Sequence, residues 1–339
     1  MLKVLKYKTI AKDKHTYLSF PDIIKSPVKK DRLFLIYREG DSHHPIWSKL
    51  ILQMSSNNGE TWDKVAEFSV SLEHHGCVWN CPRLSYIDNN LHIICDQKSS
   101  TQERTAMFKT VILVSMDEGI SFHAKETPLP GMVPDKIISF KNKLFCANHK
   151  VKSSKNDLIQ LVSWSRDNGK TWYDTNIMAH SLDKQFCEAS VVSTGDRLIS
   201  YLRDNSGHQR NIYTVTSEDG IHWSKPKKLP IFGQRVTALK DEDRDRYVIG
   251  AFRNTYIPNI YPFEYELESP KLEVSAFEHN LDNDKIEVSK IDWEHPENQY
   301  HYGYTGIVRT APNEYIIAYY IRQNRRNPYV KLAFVEKPK

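Results

Sequence analysis

The chain has 339 residues, 40% hydrophobic and 26% charged, with 47 Lys and Arg against 42 Asp and Glu for a formal charge of +5. That balance excludes a disordered chain, and no run approaches the roughly 18 apolar residues of a membrane-spanning helix. The positive charge is too mild and too dispersed for a nucleic-acid partner, and there is neither a glycine-rich phosphate loop nor a Cys-x-x-Cys pair.

In chain order, the opening Met1-Leu2-Lys3-Val4-Leu5-Lys6-Tyr7-Lys8 interrupts its apolar residues with lysines and lacks the apolar core of a secretory signal. The expected location is therefore cytoplasmic, with an external partner met only after lysis or non-classical export. Aromatics make up 11%, including eighteen tyrosines and seven tryptophans, which favours strands over helices. Six pairs of apolar runs follow, each joined by a polar turn. They start near Phe20, Pro82, Lys136, Ala189, Val236 and Thr305, and their second runs end near Tyr37, Cys95, Asn148, Leu202, Phe252 and Ile321. A last run, Tyr329 to Val335, would close the set together with the N-terminal residues. Segment 255–299 is expected to hold the outer strands of the fifth unit and a connecting loop. Lys240 to Arg246 reads as a solvated mixed-charge turn.

Between these pairs a second pattern recurs: Ser or Thr, an acidic or amide residue two later, Gly two after that, and an aromatic three beyond. It occurs at Ser55–Trp62, Ser115–Phe122, Ser165–Trp172 and Thr216–Trp223, with glycines 60, 50 and 51 residues apart. A tight hairpin explains it: the polar side chain bonds turn backbone, Gly takes positive φ, and the ring packs under the loop. Such a period marks a repeat architecture. The five cysteines, Cys77, Cys81, Cys95, Cys146 and Cys187, are expected to be mostly buried free thiols, because their number is odd and four lie in or beside strand-like runs.

The two ends of a hairpin return to one edge, so six residue pairs are expected at one rim: Ser19 with Arg38, Asn80 with Asp96, Asp135 with His149, Glu188 with Arg203, Arg235 with Arg253, and Tyr304 with Arg322. Nearly all are charged or hydrogen-bonding. Loops gathered at one edge of a repeat commonly carry function.

The four glycine-aromatic segments resemble the Asp boxes of the sialidase superfamily. That resemblance implies an all-β, six-bladed β-propeller, a single domain over 1–339 with blades starting near 19, 80, 135, 188, 235 and 304, and it places the boxes at the blade periphery, away from chemistry. Phe186 to Arg203 resembles the sialidase stretch carrying the glutamate partner of the nucleophile and, 15 residues on, a substrate-binding arginine. His301 to Arg309 resembles the stretch with the nucleophilic tyrosine, at Tyr304. Leu35 to Asp41 is similar to the region of the acid/base, at Asp41. The implied activity is a sialidase-like retaining exo-glycosidase hydrolysing a terminal acidic sugar, without cofactor or metal.

The residue chemistry suits that role. A neutral phenol avoids the charge of a sugar carboxylate, Glu188 would take its proton, and Arg203 with Arg235 or Arg253 would hold the carboxylate. Asp41 shares its loop with Glu39, Ser42, His43 and His44, each an alternative proton donor; adjacent histidines seldom converge on one metal ion. Trp47 and Trp79 read as packing residues. One departure stands out: Tyr17-Leu18-Ser19-Phe20-Pro21 has Ser19 where sialidases have the first arginine of a triad, with Arg38 as the expected compensation. Two alternatives follow. One is a uronate-polysaccharide lyase or hydrolase with His43, His44 or His149 as base and Tyr304 as acid. The other is a non-catalytic carbohydrate-binding propeller.

Overall fold

The computed structural model describes the chain except residues 71–76, 100–107, 153–156, 207–209, 255–272, 294–302, 323–326 and 339. The described residues contain 23 strands and no helix. β1 (Lys3–Ala11) leaves the N-terminus for the far side of the last sheet. β2 (Tyr17–Lys25), β3 (Leu33–Gly40), β4 (Ser48–Ser55) and β5 (Asp63–Ser69) make one antiparallel sheet. β6 (Cys77–Ile87), β7 (Asn90–Ser99), β8 (Phe108–Ser115) and β9 (His123–Glu126) make the next, and β10 (Ile138–Phe140), β11 (Lys143–Val151), β12 (Leu158–Ser165) and β13 (Tyr173–Ala179) a third.

The fourth sheet has seven strands: β14 (Phe186–Ser193), β15 (Leu198–Asp204), β16 (Asn211–Ser217), β17 (Lys227–Lys240), β18 (Tyr247–Asn254), β19 (Glu273–Asn280) and β20 (Lys285–Trp293). β17 has 14 residues, and its halves do different work. Lys227 to Phe232 pairs with β16, whereas Gly233 to Lys240 pairs with β18, so one strand is the outer edge of one meander and the inner edge of the next. β21 (Thr305–Ala311), β22 (Glu314–Ile321) and β23 (Tyr329–Glu336) complete the set, with β1 pairing antiparallel to β23 from Lys3↔Glu336 to Ala11↔Val330. The N- and C-terminal strands thus meet in one sheet, which closes the ring with β1 as that sheet's outer edge.

The sheets are the blades of a β-propeller. Every anticipated hairpin is present, and the outer strands expected within 255–299 are β19 and β20, joined by a turn at 281–284; residues 255–272 and 294–299 lie outside the described residues. The mixed-charge turn differs from expectation. Asp241 is fully buried there, accepting from Arg244 Nε at 2.8 Å, Lys337 Nζ at 2.8 Å and Tyr315 Oη at 3.2 Å. With Asp243 N–H as a fourth donor at 3.0 Å, these bonds offset the cost of burying the acid.

Two sets of contacts hold blade to blade. Around the axis, side chains of each inner strand bond the backbone of the next: Asp22 Oδ2 accepts Leu84 N–H at 2.8 Å, Ser85 Oγ accepts Ile137 N–H at 2.8 Å, Asp135 Oδ2 accepts Val191 N–H at 2.8 Å, and Ser190 Oγ accepts Ala238 N–H at 3.1 Å. Thr237 Oγ1 continues the series by donating to Thr305 O at 2.5 Å. At the opposite end of the strands, the glycine-aromatic loops join β4–β5, β8–β9, β12–β13 and β16–β17. In the first, Ser55 Oγ accepts Gly59 N–H at 2.8 Å, Asn57 Oδ1 accepts Thr61 N–H at 2.9 Å, and Trp62 Nε1 donates to Gly59 O at 2.9 Å. Gly220 has φ +77, and a Cβ there would meet the Phe145 ring of the preceding blade at 2.2 Å. These loops fasten blades.

Candidate active site

In four inner strands the ladder slips at an equivalent place, between Ser19 and Asp22, Asn80 and Arg83, Cys187 and Ser190, and Gln234 and Thr237. The residue just past each paired position has positive φ: Phe20 54°, Cys81 39°, Glu188 50° and Arg235 47°. None is a glycine, so each costs of order 1–2 kcal/mol, and the bulge re-aims its side chain. All four converge on Tyr304. The Phe20 ring lies 5.0 Å from it, Cys81 packs in the same buried cluster, Glu188 is hydrogen-bonded to it, and the Arg235 guanidinium sits 5.8 Å over its ring.

Tyr304 precedes β21 at the entry to the last sheet, where Gly303, at φ +86, donates its N–H to Tyr320 O at 2.9 Å. A Cβ on Gly303 would come within 3.0 Å of Arg253 Cβ and Cγ, which places the Arg253 stem beside the tyrosine. Tyr304 Oη donates to Glu188 Oε1 at 2.5 Å. Arg203 spans the pair, donating from NH1 to Glu188 Oε2 at 2.8 Å and to Tyr304 Oη at 3.2 Å, while its NH2 binds Asn205 Oδ1 at 2.7 Å.

The electrostatics sort the proton. Burial alone would raise the Glu188 carboxyl, but the guanidinium groups of Arg203 and Arg235 outweigh it and hold it down to about 2. Burial, then the Glu188 charge, pushes the Tyr304 phenol well above its ordinary value. The resting pair is therefore a phenol donating to a carboxylate, with Arg203 placed to stabilise either oxygen once charge develops. Burial lowers the His149 imidazole to about 4. Its Nδ1 accepts the Glu188 backbone N–H at 3.4 Å, so His149 is neutral and fixes the bulge.

Other rim residues take quieter positions. Arg38 is fully buried: its Nε donates to Ser19 Oγ at 3.1 Å, NH1 to Asn80 Oδ1 at 3.3 Å, and NH2 to the carbonyls of Ser42 and His43, both at 3.1 Å. Four of its five N–H groups are thus committed to the protein, and it holds the loop after β3. Asp96 accepts from Asn80 Nδ2 at 3.2 Å, and burial raises its carboxyl to about 6. Asp135 is buried between Val191 N–H and Arg235, whose NH2 stands 3.9 Å away. Asp41 is half-buried in the loop after β3, where Oδ1 accepts the Ile46 N–H at 3.0 Å. Arg322 lies just beyond β22, within electrostatic reach of Tyr17. Trp79 packs as expected, but Trp47 does not: it is 42% exposed on the Asp41 loop.

The aromatic wall beside Tyr304 was not anticipated. Tyr17, Phe20 and Tyr320 pack around it, and Tyr17 Oη contacts His43 Nδ1 at 3.3 Å. Arg83, buried on β6 with NH1 donating to Thr305 O at 3.2 Å, was also missed, although an arginine inside the apolar run Cys81-Pro82-Arg83-Leu84 was a usable signal.

With this geometry in place, comparisons with known proteins define the family. The model of the BNR repeat-like domain matches residues 70–245, just over half of the chain. The chain belongs to the BNR repeat-like domain family. Among curated proteins none matches it by sequence. Solved structures share the fold of this BNR propeller. A protein of unknown function from Dyadobacter fermentans superposes with TM-score 0.79 at 18% identity, covering 99% of both chains. The NanB sialidase from Streptococcus pneumoniae gives TM-score 0.68 at 12% identity over 98% of this chain and 70% of its own. The α-L-arabinofuranosidase Arb93A from Fusarium graminearum gives 0.70 at 10% identity over 98% of both.

Proposed function

We propose that this BNR propeller, read as one six-bladed domain over residues 1–339 with β17 shared between two blades, is a retaining exo-glycosidase. Its substrate is a terminal acidic sugar on a glycan, of the sialic acid type. The observation that carries the reading is the 2.5 Å hydrogen bond from the Tyr304 phenol to a Glu188 carboxylate that Arg203 bridges. The fold likeness to a sialidase and an arabinofuranosidase supports glycoside chemistry.

Because the phenol is held protonated, attack and proton transfer run together. Tyr304 Oη bonds the anomeric carbon as its proton passes to Glu188, and Asp41 protonates the departing glycosidic oxygen. Water, deprotonated by Asp41, then displaces the tyrosine, which recovers its proton from Glu188. Two displacements on one carbon retain configuration. Arg203, with Arg253 beside Gly303, holds the sugar carboxylate by paired charge-assisted bonds. Ser19 and the committed Arg38 leave one arm of the sialidase arginine set unfilled, so recognition rests on the arginines of β15 and β18.

A second reading has one observation in its favour, the contact of His43 Nδ1 with Tyr17 Oη near Tyr304. A histidine base and a tyrosine acid suit β-elimination of a uronate. A screen of fluorogenic sialosides and of uronides against wild type and Tyr304→Phe separates the two. Sialoside hydrolysis lost in Tyr304→Phe supports the glycosidase. An absorbing unsaturated uronide product supports the lyase, and sialoside turnover undiminished in Tyr304→Phe removes the proposed nucleophile.

A further inference from the structure

The reaction leaves one group without a task. Arg235 is 1% exposed, and Nε, NH1 and NH2 all lack a hydrogen-bond partner. Its nearest carboxylate oxygen, Asp135 Oδ1, stands 3.9 Å from NH2, beyond hydrogen-bond reach, while Oδ2 accepts Val191 N–H from the next blade. A buried guanidinium that makes no hydrogen bond is costly, and at Arg235 that cost adds to a strained positive φ of 47°. Sequence and fold keep the group there at both expenses.

The surroundings show what would complete it. Arg83 is equally buried, its Nε also lacks a partner, and NH1 stands 3.6 Å from Asp22 Oδ1. Lys136 Nζ takes the same oxygen at 3.0 Å. With Arg203 and Glu188, whose charge also acts on Arg235, the axial cluster has four cations, Arg83, Lys136, Arg203 and Arg235, against three carboxylates, Asp22, Asp135 and Glu188. One negative charge is missing. The Tyr304 ring lies under the guanidinium, and the other buried acid that acts on Arg235, Glu188, is already hydrogen-bonded to Tyr304 and Arg203.

We infer that Arg235 anchors a small inorganic anion of the halide class on the propeller axis, a site separate from the one that receives the sugar carboxylate. A single compact anion accepts from several N–H groups at once and balances the cluster. Burial of Arg235 across the face of Tyr304 suits an ion that enters with folding or through breathing of the blades. The anion neutralises the cation stacked on the tyrosine, so it also tunes the field at the Tyr304–Glu188 pair. This inference does not rest on the glycosidase reading.

Bromide is the probe. Crystals of the full chain grown with sodium bromide are expected to show an anomalous peak within hydrogen-bonding distance of the Arg235 guanidinium. In solution, melting temperature is expected to rise with sodium bromide or chloride over sodium gluconate at equal ionic strength. That anion-specific rise should persist in Tyr304→Phe and vanish in Arg235→Gln. If Arg235→Gln fails to fold, the wild-type anomalous map decides alone. A wild-type map with no bromide at Arg235 overturns the inference. So does bromide displaced from Arg235 by soaked N-acetylneuraminic acid, because the group would then belong to the sugar site. Failure of sialoside hydrolysis with the bromide peak present would instead count only against the glycosidase reading.

Discussion

Glu188→Gln tests the electrostatics of the site most sharply. The carboxyl is held at about 2 in the folded protein against 4.5 when unperturbed. At 1.36 kcal/mol per pKa unit, that depression corresponds to about 3 kcal/mol of stability. A depressed carboxyl contributes fully above its unfolded value, and the contribution disappears as pH falls from about 4.5 towards 2. Glutamine keeps the shape but presents an amide to Arg203 and leaves that guanidinium buried without its counter-charge. Urea unfolding followed by tryptophan fluorescence should find the variant weaker by about 3 kcal/mol at pH 7, with the gap closing near pH 2–3. Turnover of a fluorogenic sialoside should fall about 10²- to 10⁴-fold, the range for losing a general base. A variant as stable as wild type at pH 7, or a deficit unchanged at low pH, would refute the charge balance described for Glu188.

Other consequences are independent of that pair. Asp96→Asn should stabilise the protein at pH 7 by about 2–3 kcal/mol: burial raises its carboxyl to about 6, so ionisation above that pH weakens the fold, and the advantage should vanish below about pH 4 in pH-dependent melts. Arg38→Lys, which breaks the fork to Ser19, Asn80 and two carbonyls, should cost about 2–4 kcal/mol in urea titration without a selective rise in KM; a large KM effect at unchanged stability would make Arg38 a ligand contact. Gly303→Ala should retain the fold by circular dichroism yet lose activity at least tenfold, because the new Cβ meets Arg253 at 3.0 Å beside Tyr304. Gly220→Ala should cost about 2–4 kcal/mol from strain and collision with Phe145, whereas Gly195→Ala, at φ +98 with nothing within 4 Å, should cost only about 1–2 by the same unfolding assay.

Period and polarity exposed the strand pairs, because each inner strand and its neighbour are apolar runs ended by a polar rim residue. The glycine-aromatic loops were readable for the same reason: their side-chain bonds are local. The bulges were not. Counting by twos sets Glu188 opposite Arg203 and Arg235 opposite Arg253, yet Cys187 and Gln234 hold those ladder positions. Nothing in a non-glycine sequence announces a positive φ, which here is imposed by packing around Tyr304. Arg38 looked like a spare arginine because the carbonyls of Ser42 and His43 that occupy it belong to a loop without periodic signal. Trp47 looked like packing because composition cannot distinguish a core ring from one left on a mouth loop.

The central claim is that Tyr304 bonds the sugar. A sialic acid analogue carrying fluorine at the anomeric carbon and beside it forms the glycosyl enzyme faster than water releases it, and peptide mass spectrometry then locates the attached sugar. The account predicts one sugar equivalent on Tyr304 in wild type and none in Tyr304→Phe. An adduct on Glu188 or Asp41, or hydrolysis of the parent sialoside proceeding unchanged in Tyr304→Phe, would contradict it.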